Sequence, residues 1–144
     1  MRELAALHRA QVIDLWERCD LSRPWNPAEG DFDRAVEGPT SAVLGGVDAD
    51  GLAATVMVGD DGHRGWIYYL AVESGRRGAG VGRRLMQAAE RWLAGRGVRK
   101  VELMVRAGNG GAADFYAALD YRREEIAVFS RWLVDDSPPT PGPP

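Results

Sequence analysis

Apolar positions in the middle of the chain follow two different periods. Residues 66–72 are rich in aromatic and β-branched side chains over a short length, which predicts a buried strand. Residues 81–93 instead carry apolar side chains at steps of three and four, which predicts an amphipathic helix that is stopped by Gly95 and Gly97. The pattern therefore predicts a strand and a helix joined by a short connection.

The N-terminal half carries weaker patterns. We expect a short strand at residues 2–5, a helix at 8–19 and a second short helix at 29–37. Two apolar runs, 42–48 and 53–59, flank Ala49-Asp50-Gly51-Leu52, and Asp-Gly between such runs predicts a β-hairpin. Two helices and a hairpin thus precede the strand at 66–72.

The C-terminal part alternates short elements with loops. We expect a strand at 100–105, a loop at 108–111, a helix at 112–119 and a last strand or pair of strands at 124–134. Residues 135–144 are dominated by proline and have no apolar face, which predicts a disordered tail. A chain of this length can bury one core, so residues 1–134 are predicted to form a single domain.

Glycine and arginine crowd the connection between the central strand and helix, which runs Arg76-Arg77-Gly78-Ala79-Gly80-Val81-Gly82-Arg83-Arg84. The first turn of a helix has unpaired N–H groups and a partial positive charge, and glycines let an anion approach them. Arginines there are unfavourable unless an anion is bound, and the chain as a whole has a net charge of −3. The segment predicts a phosphate-binding loop, with a solvated surface turn as the alternative.

The spacing of the glycines separates the known classes of phosphate loop. A Walker A loop ends in Gly-Lys-Ser/Thr, and this segment has no lysine. The Rossmann pattern needs glycine where Arg83 or Leu85 stands. Arg77-x-x-Gly80-x-Gly82 resembles the Arg/Gln-x-x-Gly-x-Gly/Ala loop of the GNAT superfamily of N-acetyltransferases, in which it binds the pyrophosphate of acetyl-coenzyme A.

A second block of residues carries the same resemblance. The family pattern Asn-x-x-Ala-x-x-aromatic-Tyr-x-x-x-Gly-aromatic is matched by Asn109, Ala112, Phe115, Tyr116 and Tyr121. Asp120 replaces the usual glycine, a mild departure because aspartate tolerates the left-handed conformation that ends a helix. Met104 stands where similar acetyltransferases often have an acidic residue, so no general base is carried over to it. Residues 15–21, 23–26, 61–65 and 68–70 also resemble the YpeA-type branch of small bacterial acetyltransferases, which supplies no substrate.

The resemblance implies an α/β fold with a mixed, mostly antiparallel central sheet and flanking helices, and it implies acetyl-coenzyme A as co-substrate. The residues it assigns to the coenzyme are Leu70, Ala71, Val72, Arg77, Gly78, Ala79, Gly80, Val81, Gly82, Asn109 and Tyr116. Backbone groups of 70–72 would bind the pantetheine arm, 77–82 the pyrophosphate, and Asn109 the pantetheine through its amide. Tyr116 would be the catalytic residue that protonates the leaving thiolate, because a hydroxyl with a pKa of about 10 is protonated at neutral pH. A loop turn for Asn109 and a core position for Tyr116 are the alternatives.

The acceptor is predicted only as an amine of a small molecule or peptide. Family analogy places it near the first two helices, where acidic and aromatic side chains would suit a cationic amine: Trp16, Glu17, Asp20, Trp25, Asp31 and Asp33. Core tryptophans and solvated carboxylates are the alternative for these residues. His63 has the right kind of pKa for a base, but a lone histidine in an Asp-Gly turn is more often structural, so no base is assigned.

Two functions of different classes remain open at this point: an acetyltransferase that acts on an amine, and a sensor domain that binds acyl-coenzyme A without catalysis. Tyr116 favours the first, and Met104 keeps the second open. A single cysteine, Cys19, and the lack of a signal peptide predict a cytoplasmic protein. No metal site, nucleic-acid partner or membrane association is predicted, and a homodimer is left open.

Overall fold

A computed structural model of the protein describes residues 1–48 and 51–133. Its strands are β1 (Arg2–Glu3), β2 (Ser41–Asp48), β3 (Gly51–Asp60), β4 (Gly65–Val72) and β5 (Val101–Leu103). Its helices are α1 (Arg9–Arg18), α2 (Ala28–Glu37), α3 (Val81–Ala94) and α4 (Gly110–Ala117), with short 3₁₀ turns at Ala6–His8 and Ser74–Arg76. The predicted elements up to the 112–119 helix are therefore present, although several ends differ from the predicted ones.

The strands form one sheet in the order β1-β2-β3-β4-β5. Neighbouring strands are antiparallel except β4 and β5, which are parallel. A parallel pair needs a crossover, and α3 supplies it between β4 and β5. The predicted mixed, mostly antiparallel sheet with flanking helices is confirmed.

Two apolar cores lie on opposite faces of this sheet. On one face, α1 and α2 bury Leu15, Trp16 and Phe32 against the strands. On the other face, α3 buries Leu85 and Leu93. The indole N–H of Trp16 donates to the buried Thr55 hydroxyl at 2.9 Å, so the polar groups of these two buried side chains satisfy each other.

One extra residue interrupts the pairing of β4 with β3. Thr55 is opposite Ala71 and Met57 is opposite Tyr68, so two residues of β4 face one residue of β3. This is a β-bulge, and within it Tyr69 has a φ of 49°, which is uncommon for a residue other than glycine. The bulge bends β4 close to the point where β4 and β5 separate. Their parallel pairing ends at Ile67 and Leu103.

The predicted last strand or pair of strands at 124–134 is wrong for the described residues. Residues 122–133 have no regular secondary structure and are exposed, and 134 lies outside the described range. Apolar alternation specifies which face of a strand would be buried but supplies no partner, and β5 extends over only Val101–Leu103 as a template. The predicted tail, 135–144, and Ala49-Asp50 of the predicted turn also lie outside the described residues.

Candidate active site

The end of β4 has an open edge on the side away from β3. The Glu73 amide donates to the Ala53 carbonyl at 3.0 Å, and alternate strand residues aim their backbone groups in the same direction. The amide and carbonyl of Val72 therefore point to the open edge, where its carbonyl accepts bonds from Arg77 Nε at 3.2 Å and from the Cys19 thiol at 3.6 Å. Ala71 is paired with Thr55, so its backbone is directed to β3 and only its side chain faces the site.

The glycine-rich connection ends in the first turn of α3. Gly78 and Gly80 have φ values of 78° and 72°, and Gly80 is the N-cap residue. The first amide of this turn to find a helical acceptor is that of Arg84, which donates to the Gly80 carbonyl at 3.1 Å. The amides of Val81, Gly82 and Arg83 precede it and have no acceptor within the helix, which makes this turn an anion-binding element.

Three arginines of this segment contact backbone carbonyls. Arg77 Nε donates to Val72, Arg83 Nη2 to Ala118 at 3.0 Å and Arg84 Nη1 to Ala79 at 3.2 Å. Within residues 1–48 and 51–133 none of the three forms an ion pair with a carboxylate. Their positive charge is therefore left for an anionic ligand.

These elements enclose a cleft of about 550 Å³, which we call the donor cleft. It is lined by Cys19, Leu70, Ala71, Val72, Arg76, Arg77, Gly78, Gly80, Val81, Gly82, Arg83, Gly111, Ala112, Phe115, Ala118 and Leu119. A Cβ placed on Gly82 would lie 3.1 Å from the Phe115 ring, so a side chain there would fill the gap between loop and helix. The unpaired amides, the arginine side chains at the loop and this narrow gap fit a diphosphate and an extended arm. Ala79, Asn109 and Tyr116 were predicted for this site and do not line the cleft.

Asn109 is the N-cap of α4. Its Oδ1 accepts the Ala112 amide at 3.1 Å, which is the structural role considered as the alternative. Its side-chain NH₂ group has no acceptor among the described residues and remains able to donate to a ligand. At the other end of α4, Asp120 has a φ of 65°, which confirms the predicted left-handed residue.

Tyr116 lies on α4 directly after Phe115, whose ring lines the donor cleft. The Tyr116 ring packs at 5.1 Å from Phe115 and at 5.8 Å from Tyr121, centroid to centroid. Burial raises the pKa of the Tyr116 hydroxyl, so the group is protonated at neutral pH. Among the described residues the hydroxyl has no hydrogen-bond partner, which leaves its proton available.

A second cavity, of about 620 Å³, lies on the α1–α2 face of the sheet, and we call it the acceptor cavity. It is lined by Asp20, Leu21, Arg23, Asn26, Asp31, Arg34, Ala35, Ser41, Met57, Val58, Gly59, Tyr68, Tyr69 and Arg106. Of the predicted acceptor residues, Asp20 and Asp31 line it. The others do not: Trp16 is buried in the core, Asp33 is paired with Arg9, and Glu17, Trp25 and the exposed turn residue His63 lie elsewhere.

Charged and aromatic groups of this cavity are bonded to one another. The Tyr69 hydroxyl donates to Asp31 at 2.8 Å, and Arg34 pairs with the other oxygen of the same carboxylate. Burial and the Asp31 charge raise the pKa of Tyr69, and its ring stacks on Trp16 at 4.1 Å. Arg23 pairs with Asp20 at 3.0 Å. Arg23 and Tyr69 lie in segments that resemble the YpeA-type branch, but the sequence did not assign them, or Arg34 and Arg106, to the acceptor, since no spacing links the four separate segments.

The two cavities meet at the β4 bulge. Tyr68 and Tyr69 both line the acceptor cavity, although consecutive strand residues normally face opposite sides. Leu70 lines the donor cleft. Consecutive residues of β4 at the bulge therefore line the two cavities.

Two features are absent from the described residues, 1–48 and 51–133. No helix there has the length and apolarity of a bilayer-spanning segment. The same part of the chain holds no cluster of three or more His, Cys, Asp or Glu side chains suited to a metal ion.

Comparison with known proteins gives consistent matches. The family model described as Acetyltransferase (GNAT) family matches residues 3–121. An acetyltransferase of Sodalis glossinidius is 38% identical over 127 residues, which cover 88% of this chain and 89% of that protein. An acetyltransferase of Pectobacterium atrosepticum is 39% identical over 126 residues, with 87% and 89% covered.

Solved structures share the fold. The BH1408 protein of Bacillus halodurans, as a tetramutant, superposes with a TM-score of 0.73 at 25% identity over 91% of this chain and 98% of that one. The aminoglycoside acetyltransferase AAC(6')-Iy, in complex with a bisubstrate analogue of coenzyme A and acetylneamine, superposes with a TM-score of 0.80 at 16% identity, with 92% and 97% covered.

Proposed function

Because this chain belongs to the GNAT family of acetyltransferases and is an acetyl-coenzyme A-dependent enzyme, we propose that it acetylates a primary amine of a small molecule or peptide by direct transfer in a ternary complex. The observation that carries this proposal is the meeting of the two cavities at Tyr69 and Leu70. An amine in the acceptor cavity and a thioester in the donor cleft would approach each other across that bulge.

The donor cleft would hold the coenzyme through groups that are already unpaired. The amides of Val81, Gly82 and Arg83 and the guanidinium of Arg77 would bind the diphosphate. The open edge at Leu70 and Val72 would pair with the amides of the pantetheine arm, and the Asn109 NH₂ group would donate to it. The coenzyme supplies the acetyl thioester.

In the proposed reaction the neutral amine nitrogen attacks the acetyl carbonyl carbon, so that a C–N bond forms and the C–S bond breaks. The nitrogen releases a proton to solvent, Tyr116 gives its proton to the departing thiolate, and the Tyr116 phenolate then takes a proton back from solvent, which restores the enzyme. The raised pKa of Tyr116 supports this role because it keeps the acid protonated. The Tyr116 ring also packs on the cleft-lining Phe115, at 5.1 Å between ring centroids, which places it beside the donor cleft.

An acceptor screen tests the proposal. Release of free thiol from acetyl-coenzyme A is followed with amines, amino acids and peptide N-termini, against the rate of hydrolysis without acceptor. We expect acceptor-dependent release with at least one class. Tight coenzyme binding with no release above hydrolysis for every acceptor would contradict it.

That second outcome would support the alternative, a non-catalytic sensor of acyl-coenzyme A. One observation favours it: Met104 follows β5 with its side chain exposed, where similar enzymes often carry an acidic residue. An amine that is already neutral or a water relay would make such a residue unnecessary in the enzyme.

Several finer features belong to the same proposal. Residues 1–134 would form a single domain followed by a disordered tail at 135–144, and the chain would belong to the YpeA-type branch. A cytoplasmic location fits the single cysteine, Cys19, which is free. Limited proteolysis and cell fractionation test the tail and the location.

A homodimer is supported by one exposed segment. Residues 122–133 carry large apolar side chains that are 43% to 94% exposed: Ile126, Val128, Phe129, Trp132 and Leu133. A second copy of the chain would cover them by reciprocal packing, as two-fold symmetry requires. Light scattering would show a dimer that Phe129→Glu converts to a monomer; a wild-type monomer at high concentration would contradict this.

A further inference from the structure

We propose that the acceptor is an amino acid, or a close analogue that carries a carboxylate beside its amine, and that Arg106 binds this carboxylate. This inference rests on the proposed acetyltransferase function and names the substrate class of its acceptor cavity. Its products would be an N-acetylated amino acid and free coenzyme A.

The charges that line the acceptor cavity are the first observation. Three arginines and two aspartates line it: Arg23, Arg34, Arg106, Asp20 and Asp31. Asp20 is paired with Arg23, and Asp31 accepts from both Arg34 and the Tyr69 hydroxyl. Both carboxylates are thus bonded to cations, and the lining keeps one positive charge in excess.

Arg106 carries that excess. It follows β5 on an exposed stretch, and within the described residues its guanidinium has neither a hydrogen bond nor an ion pair. Its carbonyl accepts the Asn109 amide at 2.9 Å, which fixes its backbone beside the start of α4. A guanidinium matches a carboxylate through two parallel hydrogen bonds, and this one is held at the border of the cavity without such a partner.

The arrangement also disfavours the opposite class of acceptor. A compound with several ammonium groups gains most from unpaired carboxylates, and at Asp20 and Asp31 its ammonium groups would compete with the arginines already paired there. Arg106 would repel it as well. The aminoglycoside acetyltransferase with the same fold is therefore not a guide to the acceptor of this chain, in agreement with its 16% identity.

The geometry allows one molecule to use both ends of the cavity. The amine has to reach the bulge at Tyr69, because the thioester lies on the other side of it. Arg106 comes from β5, the neighbour of β4 that separates from it beyond Ile67 and Leu103. An amine and a carboxylate on one small molecule would then occupy the gap between these two strands.

Matched acceptors test the inference on the wild-type protein. Amino acids are compared with their amides, which lack the negative charge, and with an aminoalkyl phosphate, which carries a different anion. Thiol release gives kcat and KM for each. We expect the amino acid to have a KM about 10- to 100-fold lower than its amide, the size of a charge-assisted pair.

Variants of Arg106 locate the effect. Arg106→Ala should raise KM for the amino acid about tenfold or more, leave kcat within about twofold, and leave the amide unchanged; Arg106→Lys should recover part of the loss. Arg99→Ala is the control, because Arg99 is exposed and lines neither cavity. Calorimetry with the N-acetylated amino acid should show the same loss without any chemistry.

The failures are distinguishable. If no acceptor releases thiol, the acetyltransferase function fails and this inference fails with it. If the amide or the phosphate is used as well as the amino acid, or if Arg106→Ala behaves like Arg99→Ala, the enzyme stands and the carboxylate assignment is overturned.

Discussion

The donor cleft and the acceptor cavity lie on either side of one strand, and they differ in whether backbone or side-chain groups form them. The donor cleft uses backbone: glycines with positive φ, three unpaired amides of a helix turn and the edge of β4. The acceptor cavity uses side chains of α2, β4 and two loops, whose charges are bonded to each other. The first is set by chain geometry and carries arginines, Arg77 and Arg83, that form no ion pair with a described carboxylate, whereas the second neutralises its own charges except at Arg106.

This difference predicts how each half responds to substitution. A backbone site is damaged by any side chain that fills it, at a few glycine positions. A side-chain site changes preference when single hydrogen-bonding groups are removed, and the fold is retained. Substitutions in the donor cleft should change coenzyme binding, and substitutions in the acceptor cavity should change acceptor binding. Tyr116 should change the rate of acetyl transfer itself.

Tyr116→Phe should have the largest effect. Removal of a positioned general acid is expected to lower kcat by about 10²- to 10⁴-fold while calorimetry shows acetyl-coenzyme A affinity near wild type. Tyr121→Phe is the control, since its hydroxyl donates to Glu90 at 2.9 Å and points away from this role. Unchanged turnover in Tyr116→Phe would remove the residue from the mechanism.

The pH profile of the wild type provides a check on the same residue. A general acid works while it is protonated, and burial raises the pKa of Tyr116 above the ordinary value of 10.0. The kcat of the wild type should therefore stay constant up to pH 10 and decrease only above it. An alkaline limb centred below pH 10 that is absent from Tyr116→Phe would contradict the raised pKa.

Gly82→Glu and Gly80→Glu should have the next largest effect and should be confined to the donor half. Each adds negative charge where a diphosphate would bind; the Gly82 side chain would also meet the Phe115 ring, and Gly80 has a φ of 72°. We expect acetyl-coenzyme A affinity to fall about tenfold or more. Gly75→Glu places the same charge nearby, where a Cβ meets nothing within 4 Å, and should cost much less. Intact affinity in a folded Gly82→Glu protein would overturn the loop assignment.

Tyr69→Phe should have the smallest effect and should be confined to the acceptor half. It removes one donor to Asp31, which keeps its pair with Arg34. We expect acceptor KM to rise a few-fold and the free energy of unfolding to fall by about 1 kcal/mol, measured by urea titration, with donor KM unchanged. Tyr68→Phe, one position away in the same lining, is the control. A change in donor KM would show that the two halves are not separable.

The donor half could be predicted from sequence because its parts are nearly contiguous. The strand 66–72, the glycines at 78, 80 and 82 and the helix after them are local signals, and the structure has them in that order as β4, the loop and α3. The end of the 112–119 helix was predictable for the same reason, since a helix end requires a left-handed residue and Asp120 supplies it.

The acceptor half could be predicted only in part: Asp20 and Asp31 were expected there and line the cavity, but the contacts of that cavity join distant segments. Nothing local links Asp31 with Tyr69 or places Arg106 beside them. The bulge could not be predicted from residues 66–72. A strand that is buried on both faces has apolar residues at successive positions, so an extra residue does not disturb any alternating pattern. The strand expected at 124–134 is absent from the described residues for a related physical reason. Its apolar pattern is present, but no neighbouring strand pairs with it.

The bulge has a consequence for how this strand can change in evolution. Before it, Ile67 packs on the α3 side of the sheet; after it, Leu70 and Val72 return to that side and Ala71 packs with α1. Because Tyr68 and Tyr69 lie on the same face, deleting one of them would make β4 pair regularly with β3 and would leave Ala71 opposite Thr55, with the later side chains on their present faces. Lineages of this chain can therefore gain or lose a side chain of the acceptor cavity at this point of β4, while the donor cleft beyond the bulge keeps its lining.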